Sequence, residues 1–133
     1  MILLDTHVAI WAADDDPALG AHSRSIMRAA RDENRLIVSA ISAWEVALLV
    51  SKNRLKLKAL PEVLWRDLLD SGVSELPITS EIAFASVALE GLHADPADRF
   101  IAATAIVHDA TLITADKALL RWRHPLKRQN ASK

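Results

Sequence analysis

The sequence predicts an α/β fold in which short buried strands alternate with longer helices around a parallel sheet. Apolar runs of only three or four residues recur, as at Ile2–Leu4 and Leu36–Val38, and longer segments with helix-start signals separate them. The 133 residues are 51% hydrophobic with only 3 Gly, and no low-complexity stretch or linker divides them. We therefore expect one compact domain spanning residues 1–133.

In chain order, the predicted elements are a strand at 2–4, helices at 8–13 and 17–30, a strand at 36–39, helices at 41–50 and 61–69, a strand at 73–76, helices at 79–89 and 96–108, a strand at 111–114 and a short helix after Asp116. Pro17 and Pro96 each follow an Asp, which is a helix-start signal. Ser39 or Ser42 is expected to cap one helix and Thr79 or Ser80 another. After Trp122 the pattern predicts no clear final strand.

Composition and charge exclude several classes of protein. The absence of Cys excludes a disulfide framework, thiolate zinc sites and a Cys nucleophile. The apolar runs are too short for a membrane span, and the N-terminus lacks a basic signal-peptide region, so we expect a soluble, cytoplasmic protein. Residues 121–133 carry five basic side chains and no acid, which leaves the first 120 residues with a net charge of −6. Such a basic C-terminal segment is typical of a solvated, frayed terminus.

Four acidic side chains occupy positions where an α/β fold builds its sites. Asp5 directly follows the first strand, and Asp116 lies two residues beyond the strand that ends near Thr114. Ligands bind at this carboxyl edge in parallel sheets. Glu45 lies within the apolar run 41–50, where an unpaired buried carboxylate needs compensation, and Asp98 opens the Ala-rich helix.

Each acid also has an ordinary structural explanation. Asp5 and Asp116 could cap the helices that follow them, and the acids that open the Ala-rich helix could complement its N-terminal dipole. Glu45 could pair with an arginine such as Arg99. Taken together, however, four clustered carboxylates repel one another unless a cation shares them. Oxygen-only ligands favour Mg²⁺ or Mn²⁺, and one or two such ions can activate water against a phosphodiester.

Four segments resemble, in order, the motifs of PIN-domain ribonucleases of the VapC type, the toxins of bacterial toxin–antitoxin pairs. These segments are Met1–His7 with Trp11 behind it, Ser42–Ala47, His93–Ala103 and Leu112–Asp116. Any one of these motifs is weak, but the ordered set is specific and spans nearly the whole chain. The resemblance implies a three-layer α/β/α fold with a mostly parallel central sheet. It also implies a Mg²⁺- or Mn²⁺-dependent endoribonuclease.

The motif match implies an acidic quartet of Asp5, Glu45, Asp98 and Asp116. Asp5 and Asp98 would hold the principal ion and Asp116 would share it or a second one. Glu45 would bind or orient the attacking water. The hydroxyls of Thr6 and Thr114 would position these groups, with Asp95 in a further supporting place. Arg99 would pair with a site carboxylate or contact a substrate phosphate.

The resemblance also implies partners. VapC-like proteins are typically homodimers held inactive in a larger assembly with a VapB-like antitoxin. The apolar helix faces around 8–11 and 48–52 would suit an antitoxin helix, or they belong to the core. An RNA substrate needs cations for its phosphates, and the candidates are Arg99, residues 52–58 and the basic segment 121–133.

Two other function classes stay open from the sequence. One is a PIN-like fold that binds RNA or protein without cutting, although an intact quartet argues against a decayed site. The other is a phosphotransfer domain with Asp5 as the acceptor, for which Lys117 stands beside Asp116 but His7 replaces the second acid of the phosphatase pattern. No metal-binding histidine spacing and no glycine-rich phosphate loop supports any further alternative.

Overall fold

A five-stranded sheet forms the centre of the protein, whose computed structural model describes residues 1–133. The strands are β1 (Ile2–Leu4), β2 (Leu36–Ser39), β3 (Ser74–Leu76), β4 (Thr111–Thr114) and β5 (Arg128–Asn130). They lie in the order β3-β2-β1-β4-β5, and every pair is parallel. The predicted α/β fold is confirmed, with a sheet that is wholly parallel.

Seven helices connect the strands. They are α1 (Thr6–Ala13), α2 (Ala21–Asp32), α3 (Ala40–Ser51), α4 (Pro61–Asp70), α5 (Ser80–Ala88), α6 (Pro96–Val107) and α7 (Lys117–Arg121). The predicted caps occur at Ser39, Thr79, Asp95 and Asp116, whose side chains accept backbone N–H groups of the helices that follow. None of the seven helices combines the length and apolarity that crossing a bilayer requires.

The helices cover both faces of the sheet, which gives three layers. In register, Leu3 pairs with Ile37 and Leu112, and these three side chains pack together in the core on one face, with Ile101, Leu119 and Trp122. The next residues along the same strands, Leu4, Val38 and Ile113, pack on the other face with Val8, Met27 and Trp65. Because successive side chains of a strand point to opposite faces, the continuous apolar runs of the sequence mark strands buried on both sides.

The helix expected to begin at Pro17 begins instead at Ala21. Asp16 forms a turn, accepting the N–H of Ala18 on its side chain and that of Leu19 on its carbonyl. Gly20 then precedes the helix, and its N–H donates to the carbonyl of Ala131 at 2.8 Å. A Cβ at Gly20 would overlap the backbone of Lys133, so the start of α2 is fitted to the C-terminal segment.

The C-terminal segment is ordered, contrary to the expectation of a frayed tail without a strand. Residues 128–130 add β5 to the edge of β4, and Ala131 is fully buried. Several of its cations are used internally: Lys127 pairs with Asp109 at 2.8 Å, and Arg128 donates to the carbonyls of Leu119 and His124. The strand has no apolar pattern because it is a half-exposed edge strand whose contribution is backbone pairing.

The apolar face of α1 belongs to the core, because Val8, Ala9 and Ile10 are all buried. An exposed apolar groove lies instead between α3 and α4. It has a volume of about 360 Å³, with Ala43, Val46, Ala47, Trp65 and Leu69 along it and charged side chains of α4 at its rim.

The strand order reverses at β1, since β2 and β3 extend the sheet on one side and β4 and β5 on the other. The connections after β1 and β4 therefore leave the sheet in opposite directions. This opens a crevice at the carboxyl ends of these two strands, where α/β folds bind their ligands.

Candidate active site

Asp5 lies in this crevice and is held in place on both of its carboxylate oxygens. Its Oδ1 accepts the backbone N–H of Thr6 at 2.8 Å, and its Oδ2 accepts the hydroxyl of Thr114 at 2.6 Å. Only 2% of Asp5 is exposed. The capping role considered from the sequence is therefore real, but it coexists with a buried, oriented carboxylate at the end of β1.

Thr114 connects the ends of β1 and β4. Its hydroxyl donates to Asp5 and also accepts the backbone N–H of Asp116 at 3.0 Å. Asp116 caps α7 through Oδ1, which accepts the N–H of Leu119 at 3.0 Å. Because one hydroxyl touches both acidic segments, the carboxylates of Asp5 and Asp116 are placed at the same sheet edge in a fixed relation.

Glu45 faces the same edge from the first turns of α3. Burial is the main cause that raises the pKa of Glu45 above its ordinary value, and the negative charges of Asp5 and Asp95 raise it further. A hydrogen bond from the Thr6 side chain, and the nearby His7, act in the opposite direction. The hydroxyls of Thr6 and Ser42 are also hydrogen-bonded at 2.8 Å, which ties α1 to α3 beside the carboxylate.

Asp98 approaches the edge from the first turn of α6. Burial raises its pKa to about 7, and the charges of Asp5, Asp95 and Asp116 contribute to the rise, while a hydrogen bond from His93 opposes it. His93 Nε2 lies 2.7 Å from Asp98 Oδ2. Asp95 caps the helix by accepting the N–H of Asp98 at 3.1 Å. These interactions bring Asp98 within the electrostatic reach of the acids on β1 and β4.

Two histidines contact the acidic residues. His93 belongs to one of the four recognised segments, but nothing in the sequence indicated that it would bind Asp98 from five residues upstream. His7 Nε2 accepts the N–H of Ala115 at 3.3 Å, so its Nδ1, which lies 3.9 Å from Asp5 Oδ2, carries the proton of the neutral ring. The ring packs edge-on against Trp11. His7 thus packs against Trp11 and also lies at the acidic edge of the sheet.

Arg99 does not occupy the place expected for a substrate contact or a partner of Glu45. It donates at 2.7–3.4 Å to the backbone carbonyls of Ser86, Val87, Leu89, Leu92 and His93. These bonds use all five N–H groups of the guanidinium, so none is left for a phosphate or a carboxylate. Arg99 instead holds the connection between α5 and α6, which carries His93 beside Asp98.

The donor set fits a hard divalent cation. Its side chains offer carboxylate and hydroxyl oxygens, which such ions prefer. The burial and mutual repulsion that raise the pKa of Asp98 and of Glu45 are relieved when a cation shares the carboxylates. In this conformation, no three acidic or histidine side chains are grouped closely enough to hold one ion. The residues therefore fit such an ion by chemistry and position, without forming a closed coordination shell.

A parallel sheet with an acidic crevice at its switch point is the arrangement of a metal-dependent nuclease of the PIN class. The PIN-domain family matches residues 2–124, and the chain belongs to this family. It is 39% identical over 125 residues, or 93% of each chain, to Ribonuclease VapC22 of Mycobacterium tuberculosis.

Several solved structures share the fold. The chain resembles FitAcB from Neisseria gonorrhoeae with a TM-score of 0.66 and 25% identity, covering 98% of both chains. It resembles VapBC2 from Rickettsia felis, bound to a DNA fragment from their promoter, with a TM-score of 0.72 and 24% identity, again covering 98% of both chains. Membership of the PIN family favours the nuclease over the phosphotransfer alternative.

Proposed function

We propose that this chain is a Mg²⁺- or Mn²⁺-dependent endoribonuclease and the toxin component of a type II toxin–antitoxin pair, acting in the cytoplasm. The observation that carries the proposal is the convergence of Asp5, Glu45, Asp98 and Asp116 on the switch point of the sheet. PIN-family membership and the similarity to a relative named as a ribonuclease support the same activity.

In this proposal Asp5, Asp98 and Asp116 hold the cation. When bound, it would polarise the scissile phosphodiester and lower the pKa of a bound water. Asp5 is the best-oriented of the three, because hydrogen bonds fix both of its oxygens. Thr114 keeps Asp5 and Asp116 in register through its hydroxyl. Asp95 and His93 orient Asp98 from its backbone and its carboxylate respectively.

Glu45 is the proposed group that orients the attacking water. Its carboxylate belongs to α3, and burial raises its pKa, which makes the ionised carboxylate a stronger base. Thr6, bonded to Ser42, holds α1 and α3 together at this point. The chain thus offers a proton acceptor beside a group of cation ligands, which is what hydrolysis by an activated water needs.

Two surfaces support the proposed partners. The apolar groove between α3 and α4, with Glu62, Arg66 and Asp70 at its rim, has the size and polarity to take the apolar face of an antitoxin helix. On α5, Phe84 and Val87 are 78% and 82% exposed, and a second copy of the chain would cover them in a homodimer. Both assemblies are expected for a toxin of this class.

Cleavage of RNA by the purified, antitoxin-free protein tests the proposal. Total cellular RNA is incubated with Mg²⁺ or Mn²⁺ and, separately, with chelator. Asp5→Asn and Asp98→Asn are compared with Asp32→Asn, a matched change at an exposed carboxylate on the last residue of α2. We expect discrete fragments that need the metal, persist in Asp32→Asn and vanish in both site variants. If wild type and site variants are equally inert, the chain is a non-cleaving binding protein. If they are equally active, the cleavage comes from a contaminating nuclease.

A further inference from the structure

The connection between α3 and α4 is a densely cationic surface segment. Four cations fall within residues 52–58, here called the basic loop, and no acid occurs between Glu45 and Glu62. All four are exposed, and none forms a hydrogen bond or ion pair through its side chain: Lys52, Arg54, Lys56 and Lys58. Nothing within the molecule therefore neutralises this charge.

Apolar anchors hold the basic loop in a defined orientation. Leu55 and Leu57 are half-buried and pack against the core on the α1–α2 face of the sheet, while the cations between and beside them are exposed. Exposed and half-buried residues alternate from 54 to 58, so Arg54, Lys56 and Lys58 share the solvent-facing side of the segment. Such a row of cations suits the phosphates of a single strand.

Three of the other cations that the sequence offered for RNA are committed elsewhere. Arg99 donates all five of its N–H groups to backbone carbonyls. Lys127 pairs with Asp109, and Arg128 holds the carbonyls of Leu119 and His124. Arg121, Arg123 and Lys133 also have free side chains, but the four cations of the basic loop lie within seven residues and form the denser cluster.

The basic loop is joined to the catalytic edge through α3. Helix α3 starts at the carboxyl end of β2, carries Glu45 in its first half and contacts both α1 and α6. The basic loop follows directly on this helix. Trp44, which is 51% exposed beside Glu45, offers an aromatic face at the same edge.

We propose that the basic loop binds the phosphate backbone of single-stranded RNA and leads the strand to the acidic crevice. This inference rests on the proposed ribonuclease function and names the substrate's path to that site. The contacts are to phosphates, so they supply affinity without selecting a base sequence. An acidic crevice repels a polyanion, and the basic loop supplies the attraction that the crevice lacks.

Binding is measured in chelator, where the RNA is not cut, with a fluorescein-labelled 20-nucleotide single-stranded RNA of mixed sequence. The test variant is Arg54→Gln/Lys56→Gln/Lys58→Gln. Its matched control is Arg28→Gln/Arg31→Gln/Arg35→Gln, which removes three exposed cations in and just after α2. A third variant, Arg54→Lys/Lys56→Arg/Lys58→Arg, keeps the charge. Thermal unfolding confirms that each variant is folded.

We expect the test variant to bind at least about tenfold more weakly at moderate salt, with the control and charge-keeping variants near wild type. The slope of log affinity against log salt should flatten by about 2, since each single-strand phosphate contact contributes about 0.7. With metal, KM should rise while kcat is retained, because phosphate contacts bind substrate and transition state alike.

Equal loss in the control variant, or unchanged affinity in the test variant, would overturn the inference. If the test variant keeps its RNA affinity and loses affinity for the antitoxin, the basic loop is a protein-binding surface instead. The proposed ribonuclease activity fails separately: it fails when wild type does not cut RNA with metal, whatever the binding assay gives. If wild type cuts RNA and the test variant keeps its RNA affinity, only the proposed role of the basic loop is wrong.

Discussion

Asp98 destabilises the metal-free protein above neutral pH, and its replacement by Asn should show this. The pKa of Asp98 is raised from 3.8 to about 7 in the folded protein, chiefly by burial. Between these values the folded state binds more protons than the unfolded state, so stability falls as pH rises from about 4 to 7. In Asp98→Asn the side chain keeps its shape and its capacity to accept a hydrogen bond from His93, but carries no charge.

The size of the effect follows from the pKa difference. The pKa of Asp98 is about 3 higher in the folded protein, which corresponds to about 4 kcal/mol of unfolding free energy at 1.36 kcal/mol for each pKa unit. The Asp98 side chain is still 15% exposed, and solvent screening reduces the effect to about 1–2 kcal/mol. We therefore expect Asp98→Asn in chelator to be more stable than wild type by this amount at pH 8 and about equal at pH 4.

Urea unfolding at both pH values measures the difference, with Asp32→Asn as the control for loss of an exposed carboxylate. Added Mg²⁺ or Mn²⁺ should raise the stability of wild type at pH 8 and leave Asp98→Asn nearly unchanged, because only wild type retains the ligand. A wild type as stable as Asp98→Asn at pH 8 in chelator would refute the reasoning. An equal increase in the stability of wild type and Asp98→Asn on adding the metal would refute it as well.

Three other predictions concern contacts around the site. Arg99→Ala should lower the free energy of unfolding by about 2 kcal/mol in urea titrations, because partly buried carbonyls lose a charged donor, whereas Arg66→Ala should have little effect. Thr114→Val should weaken Mn²⁺ binding by about 10–100-fold in calorimetry, because Asp5 loses its hydroxyl partner; an unchanged affinity would remove Thr114 from the site. Phe84→Glu should give a monomer in sedimentation equilibrium where wild type is a dimer, and a dimeric Phe84→Glu would place the interface elsewhere.

The sequence predicted the sheet centre and its acidic edge well, for a physical reason. A strand that is buried on both faces reads as a short continuous apolar run, and this pattern identified β1, β2 and β4 in the sequence. The acids that follow β1 and β4 were then recognisable as polar residues at the ends of buried strands. Parallel pairing then requires Asp5 and Asp116 to meet at one edge. These placements depend only on local pattern and on the handedness of α/β connections.

The parts that failed depend on contacts between distant segments. Strand β5 is a polar edge strand, so only its pairing with β4 distinguishes it from a loop. The start of α2 is set by Gly20 meeting the C-terminal backbone, which no local signal near Pro17 reports. Arg99 resembled a substrate contact because its motif places it beside Asp98. Its five carbonyl partners come from the preceding helix and connection, and their positions exist only in the folded chain.

The carboxylates at the switch point are expected to hold a divalent ion. Anomalous scattering from crystals of the wild-type protein grown with Mn²⁺, at a concentration that saturates binding in solution, tests it most directly. We expect a peak in the crevice between the ends of β1 and β4, bounded by carboxylate oxygens of Asp5, Asp98 and Asp116. The peak should be lost in Asp5→Asn. A dominant peak elsewhere, or none in the crevice of protein saturated with Mn²⁺, would contradict the account.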